Sequence, residues 1–124
     1  MIVFLVDTSV WIGHFARSNA ALVELLVSEQ VLAHPCVVGE LALSSMKRRQ
    51  EILALLRRLP RARVATDDEV MAFIQNLSLH GRGIGWVDAQ LLASARLTGC
   101  GLWTTDRKLL AAAAHARLAT RPSA

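Results

Sequence analysis

The stretch MIVFLVDTSVWIGHF (residues 1–15) decides the fold. Its segment IVFLV is a strand by length and by β-branched and aromatic content. The strand runs straight into Asp7, and Thr8 or Ser9 can cap a short helix reaching about Ala16. A carboxylate at the end of an apolar strand must be exposed, cap the next helix, or be used.

Working outward, helical and extended segments alternate along the chain. Asn19 caps AALVELLVSEQ, where Leu22, Leu25, Leu26 and Glu29 have helical spacing. VLAH is a short strand. Pro35 suits a first helical turn of a helix running through Met46, and a basic amphipathic helix follows to about Leu59. ARVAT reads as a third strand, ended by Thr66 before DDEVMAFIQNLSLH with acids in its first turn. Gly81, Gly83 and Gly85 form a flexible link. A helix from about Trp86 to Thr98 stops at Gly99, CGLWTT is a fourth strand, Asp106 opens another helix, and ARLAT is a last short edge strand. Such alternation predicts an α/β sandwich with a mainly parallel sheet of four to five strands. Its length, 124 residues, fits one domain over 1–120 with a short tail at 121–124.

Composition narrows the function. Hydrophobic residues make up 53%, enough for a packed core, yet no apolar run approaches the roughly 18 residues of a membrane span. MIVFLV lacks the basic flank and length of a secretion signal, so the expectation is a soluble, cytoplasmic protein without a membrane partner. Cys36 and Cys100 form no CxxC and read as buried thiols. Between Lys47 and Arg63 stand seven bases and one acid, Glu51, which makes either a solvated face or a track for phosphates.

Four acids stand where charge is unusual. Asp7 and Asp106 follow the first and fourth strands, at the sheet edge where open α/β folds bind ligands. Glu40 is the one formal charge in VLAHPCVVGELALSSM, with apolar residues in every helical direction. Asp88 shares a helix face with Leu91, Leu92 and Ala95, which should pack inward. Each has an ordinary reading: helix caps for Asp7 and Asp106, a helix-dipole anion for Asp88, an ion pair with Arg for Glu40. Jointly they can converge on one edge. Two carboxylates about 4 Å apart repel by on the order of 4 kcal/mol at an effective dielectric of 20, so a convergent set calls for a divalent cation. Oxygen donors without paired Cys or His favour Mg²⁺ or Mn²⁺ over zinc. With the basic stretch holding a polyanion, that is the chemistry of a metal-dependent nuclease.

The motifs resemble the PIN-domain family, and within it the VapC-like ribonuclease toxins of toxin–antitoxin pairs. LVDTSVWI is similar to the family's opening strand with its first acid, VVGELAL to the segment of the second, GRGIGWVDAQLLASA to the third, and LWTTDRKL to the fourth. The resemblance implies a PIN-like three-layer α/β/α sandwich and an endoribonuclease whose metal is held by Asp7, Glu40, Asp88 and Asp106. It also implies Mg²⁺ or Mn²⁺ as cofactor, RNA as substrate, a homodimer, and inhibition by a small antitoxin, for which an apolar groove beside Leu22–Leu26 and the Glu40 helix is expected. Two positions depart from the pattern. Gly13 stands where relatives often carry an acid, and Leu109 and Leu110 where they often carry an aromatic.

Supporting candidates are Ser9 and Thr104, which either bond the pocket or cap helices. Arg82, Arg107, Arg48 and Arg49 are candidate RNA contacts. Trp11, Trp86 and Trp103 serve core, dimer interface or base stacking. His14, His34, His80 and His115 are not spaced as a metal set. The alternative function is a non-catalytic RNA-binding or regulatory PIN module. A phosphotransferase acting on small phosphate esters is weaker, since DTS stands where that chemistry wants DxD.

Overall fold

The computed structural model describes residues 1–122; of the expected tail, Ser123 and Ala124 lie outside the described residues. Three short strands form a parallel sheet in the order β2-β1-β3: β1 (Phe4–Val6), β2 (Val31–Leu32) and β3 (Gly101–Trp103). Phe4 pairs with Val31 on one side and Gly101 on the other, and Val6 with Trp103. Every residue of β1 and β3 is buried. Successive strand residues point to opposite faces, so both faces of the sheet are covered, which makes the fold a three-layer α/β/α sandwich.

Among the described residues seven helices surround the sheet: α1 (Thr8–Ala16), α2 (Ala20–Val27), α3 (Pro35–Leu43), α4 (Arg49–Arg58), α5 (Asp67–Leu77), α6 (Trp86–Thr98) and α7 (Arg107–His115). Their ends follow local chemistry. Asn19 accepts the Leu22 N–H and caps α2. Thr66 and Glu69 form a reciprocal capping box on α5. Gly99, at φ +76°, ends α6 in the left-handed conformation that glycine adopts at no steric cost. Arg49 donates from Nε and Nη2 to the Ala42 carbonyl, satisfying the end of α3.

The sheet has fewer regular strands than the sequence predicts, for a physical reason. In Arg61–Ala65 only the Ala33–Arg61 bridge is sheet-like. Beyond it, the Arg63 and Ala65 N–H groups donate to side chains of α6, Thr98 Oγ1 and Ser94 Oγ, instead of to a neighbouring strand. At the other edge, Ala119 accepts the Leu102 N–H without building a strand. β3 starts in a crowded place. A β-carbon on Gly101 would lie 2.6 Å from the Phe4 ring and 2.8 Å from the Ala119 carbonyl oxygen.

Trp11 and Trp103 are core residues, 1% and 8% exposed, whereas Trp86 is 44% exposed. Both cysteines are free thiols. Among the described residues no helix is long and apolar enough to cross a membrane. Gly13 lies inside α1, and a β-carbon there would meet nothing within 4 Å. Gly13→Ala is therefore expected to stabilise the protein by about 0.5–1 kcal/mol, read as a higher denaturation midpoint. A lower midpoint would show that the position is constrained in some other way.

Candidate active site

The strand order places the ends of β1 and β3 side by side, so Asp7 and the Thr104–Asp106 turn meet at one sheet edge. The Asp7 N–H donates to the Trp103 carbonyl at 2.9 Å, which continues the ladder up to the site. Only Gly99 and Cys100 separate α6 from the start of β3, so α6 runs back against the strands. Its first turn, with Asp88, therefore lies over the edge where β1 and β3 end.

Asp7 is buried, 7% exposed, and makes no side-chain cap on α1 although it stands at the N-cap position. Its Oδ2 instead accepts two hydroxyls, Ser9 Oγ and Thr104 Oγ1, each at 2.8 Å. Among the described residues no protein donor reaches Oδ1. Backbone amides lock the two hydroxyls: Thr105 N–H donates to Ser9 Oγ (3.1 Å) and Asp106 N–H to Thr104 Oγ1 (3.0 Å). Both supporting candidates thus bond the pocket.

Asp106 caps α7 through Oδ1, which accepts the Lys108 and Leu109 amides at 2.9 and 3.1 Å. Its cap fixes the carboxylate in place while the residue stays exposed. Asp88 is half-buried, and its Oδ2 accepts the Gly85 N–H at 3.2 Å. Burial raises the Asp88 pKa; the Gly85 bond pulls it down, and the Asp7 and Asp106 charges push it up again. Asp88 thus lies close enough to the edge to feel the charges of Asp7 and Asp106.

Glu40 departs from expectation. It is exposed, because α3 turns a face with Gly39, Glu40 and Leu43 to solvent. Its Oε1 accepts the Thr8 hydroxyl at 2.8 Å, which links α3 to the start of α1 and so to the aspartates. Thr8 was not among the sequence candidates; the pair of hydroxyls directly after Asp7 is the signal that could have found it. As the side chains stand, no group of three His, Cys, Asp or Glu among the described residues converges tightly enough to cage an ion. Mg²⁺ does not need such a cage, since it is commonly held by one or two carboxylates and keeps several waters. The all-oxygen donors, the Oδ1 of Asp7 without a protein donor among the described residues, and the like charges acting on Asp88 fit a hard divalent cation.

The candidate arginines divide. Arg107 stands exposed beside Asp106. Arg48 takes the N-cap position of α4 at φ +56°. Arg49 is committed to Ala42, and Arg82 donates from Nε to the Ser78 carbonyl. Of the residues expected beside an apolar groove, two are withdrawn into the core. Leu22 and Leu25 are buried, and a groove of about 470 Å³ runs instead past Ile12, Phe15, Met46 and Ile52, with Lys47 and Arg48 at its rim.

Comparison with known proteins decides the family, since the PIN domain matches residues 4–115. The chain belongs to the PIN-domain family. This PIN domain is also 48% identical over 116 residues to Ribonuclease VapC32 of Mycobacterium tuberculosis, in strains CDC 1551 / Oshkosh and ATCC 25618 / H37Rv. The match covers 93% of this chain and 94% of the relative. The four acids all fall inside the matched PIN region.

Proposed function

We propose that this chain is a metal-dependent endoribonuclease, the toxin of a toxin–antitoxin pair, acting in the cytoplasm as a single domain over residues 1–120. The observation that carries the reading is the sheet edge of a PIN domain where β1 and β3 end side by side, with Asp7 after one, Asp106 after the other and Asp88 in the first turn of the helix that runs back from β3. Mg²⁺, with Mn²⁺ as a substitute, would be held by Asp7, Asp88 and Asp106, with Glu40 acting directly or through water. When bound, such an ion supplies positive charge against the charge developing on the phosphodiester and acidifies water.

The protein's own part is orientation. Ser9 and Thr104 hold Asp7 by one oxygen and leave the other without a protein donor among the described residues. The α7 cap holds Asp106, and the Gly85 amide holds Asp88. Glu40 and Asp106 are exposed, so the edge is open and suits a polymer better than a small phosphate ester, which favours an enclosed pocket. Arg107 and Arg48, uncommitted to acids among the described residues, are the stronger phosphate contacts; Arg49 and Arg82 have structural partners. The partners are RNA, a small antitoxin whose amphipathic segment fits the apolar groove beside α1, and a second copy of the chain.

The test is direct. Purified protein should cleave RNA with Mg²⁺ or Mn²⁺ and stop with EDTA. Its expression should arrest growth, and the small protein encoded beside it should restore growth. Full cleavage in EDTA would sink the metal mechanism. Harmless expression at high level, indistinguishable from Asp7→Asn, would sink the toxin reading.

A further inference from the structure

We propose that His34 is a positioning residue for this site: its neutral, Nε2-protonated ring ties the first turn of α3 to the middle of α6, fixing where Glu40 and Asp88 stand relative to each other. His34 is 1% exposed and occupies the N-cap of α3 directly after β2. Its Nδ1 accepts the Cys36 N–H at 3.0 Å. A ring nitrogen that accepts carries no proton, so the proton sits on Nε2 and is donated to Ser94 Oγ on α6 at 3.1 Å. Ser94, wholly buried, also accepts the Ala65 N–H.

A second tie lies one turn away, where the Cys36 thiol donates to Gln90 Oε1 at 3.5 Å. Burial first, and Glu40 second, raise the Cys36 pKa, which keeps the thiol protonated as that donor. Glu40 is four residues from Cys36 on α3, and Asp88 is two from Gln90 on α6. Among the described residues these two bonds are the side-chain hydrogen bonds that join the Glu40 helix, with its cap, to the Asp88 helix. His34 therefore acts on the acids through the helices that carry them. Side chains that hold a metal's ligands directly commonly change metal affinity 10- to 100-fold when altered, and a residue one step further back is expected at the low end of that range.

The tie is sensitive to acid. A proton on Nδ1 would face the Cys36 N–H, donor against donor, and the α3 cap would be lost. The groups bonded to the ring are the Cys36 amide from α3 and the Ser94 hydroxyl from α6, and the charge acting on it is that of Arg61, from the segment beside β2. Burial, helped by Arg61, lowers the ring's pKa from its ordinary 6.5. The unfolded chain then binds the proton more readily, so this contribution to stability is full above 6.5 and is lost as pH falls from there toward the folded value.

The inference rests on the nuclease reading for its metal arm, and the experiment separates the two. Mn²⁺ binding is measured by calorimetry on the full chain, as wild type, His34→Asn and His34→Gln, at a temperature where circular dichroism shows each folded. Asn keeps an acceptor over Cys36 but cannot reach Ser94; Gln can reach Ser94 but leaves Cys36 uncapped. Each is expected to weaken Mn²⁺ binding by about tenfold, with a parallel rise in the Mn²⁺ needed for half-maximal RNA cleavage. Unchanged Mn²⁺ affinity in the folded variants overturns the positioning role. Nitrogen NMR of the wild-type ring should show Nδ1 unprotonated, with no titration near pH 6.5. A ring that titrates at its ordinary value overturns the tie itself. A wild type that neither binds Mn²⁺ nor cleaves RNA defeats the nuclease reading, and the NMR result still decides the tie.

Discussion

Asp7→Asn, Glu40→Gln and Asp88→Asn are each expected to lose RNA cleavage by on the order of 10³-fold or more in single-turnover assays, with the fold intact. Asp88 also gives a stability signature that a plain structural acid would not. Its pKa is raised in the folded protein, by burial foremost and by its aspartate neighbours. The folded state then holds the proton more tightly than the unfolded chain. The sign is opposite to that of a salt-bridged acid: stability falls as pH rises through 3.8 toward the raised folded value, and at neutral pH the ionised group is a burden. Asn removes the charge yet can still accept the Gly85 N–H through its amide oxygen. Without metal, Asp88→Asn should melt no lower than wild type, and it should gain less from added Mg²⁺. A large loss of stability in the metal-free variant would instead identify Asp88 as a structural cap.

Trp11→Ala should be the most damaging single change to the fold. The indole is 1% exposed on α1 and packs against Phe15, ring centroids 6.0 Å apart. Truncating a buried aromatic of this size costs about 3–5 kcal/mol, against a total stability of about 5–15 kcal/mol for a domain. Urea titration should therefore show a variant near the limit of folding at 37 °C. Trp86→Ala, at a half-open position, should cost far less. Equal losses for the two would contradict the division of the tryptophans into core and surface.

Much of this was legible in the sequence because local chemistry sets it. Asn19, Gly99 and Asp106 mark helix ends by the bonds that they make there, and the structure uses each of them as read; at Thr66 the sequence showed the boundary and the acids after it, and the structure adds the reciprocal bonds with Glu69. The edge that unites Asp7 and Asp106 followed from parallel strands alone. What could not be read depends on partners distant in sequence. ARVAT has the composition of a strand, but after Ala62 its Arg63 and Ala65 amides go to Thr98 and Ser94, some thirty residues on. Glu40 sits among apolar residues in sequence, yet solvent takes its side of α3, a fact fixed by packing rather than by neighbours. His34 drew no role because metal spacing was the wrong question. Its position directly before Pro35 was the better clue, since proline at the first helical turn makes the residue before it the cap.

Gly101 carries a consequence for how this chain can vary. Most positions in a strand accept several residue types by small repacking, but here any added carbon presses on a ring from one side and a main-chain oxygen from the other. A ring can swing aside; a carbonyl that accepts the Leu102 amide can move only by breaking that bond. The strain would travel along β3, whose end carries Thr104, the hydroxyl that orients Asp7. Drift at position 101 is thus closed by a wall several residues from the chemistry, and a lineage that lost this glycine would lose the aim of its first carboxylate before it lost the carboxylate itself.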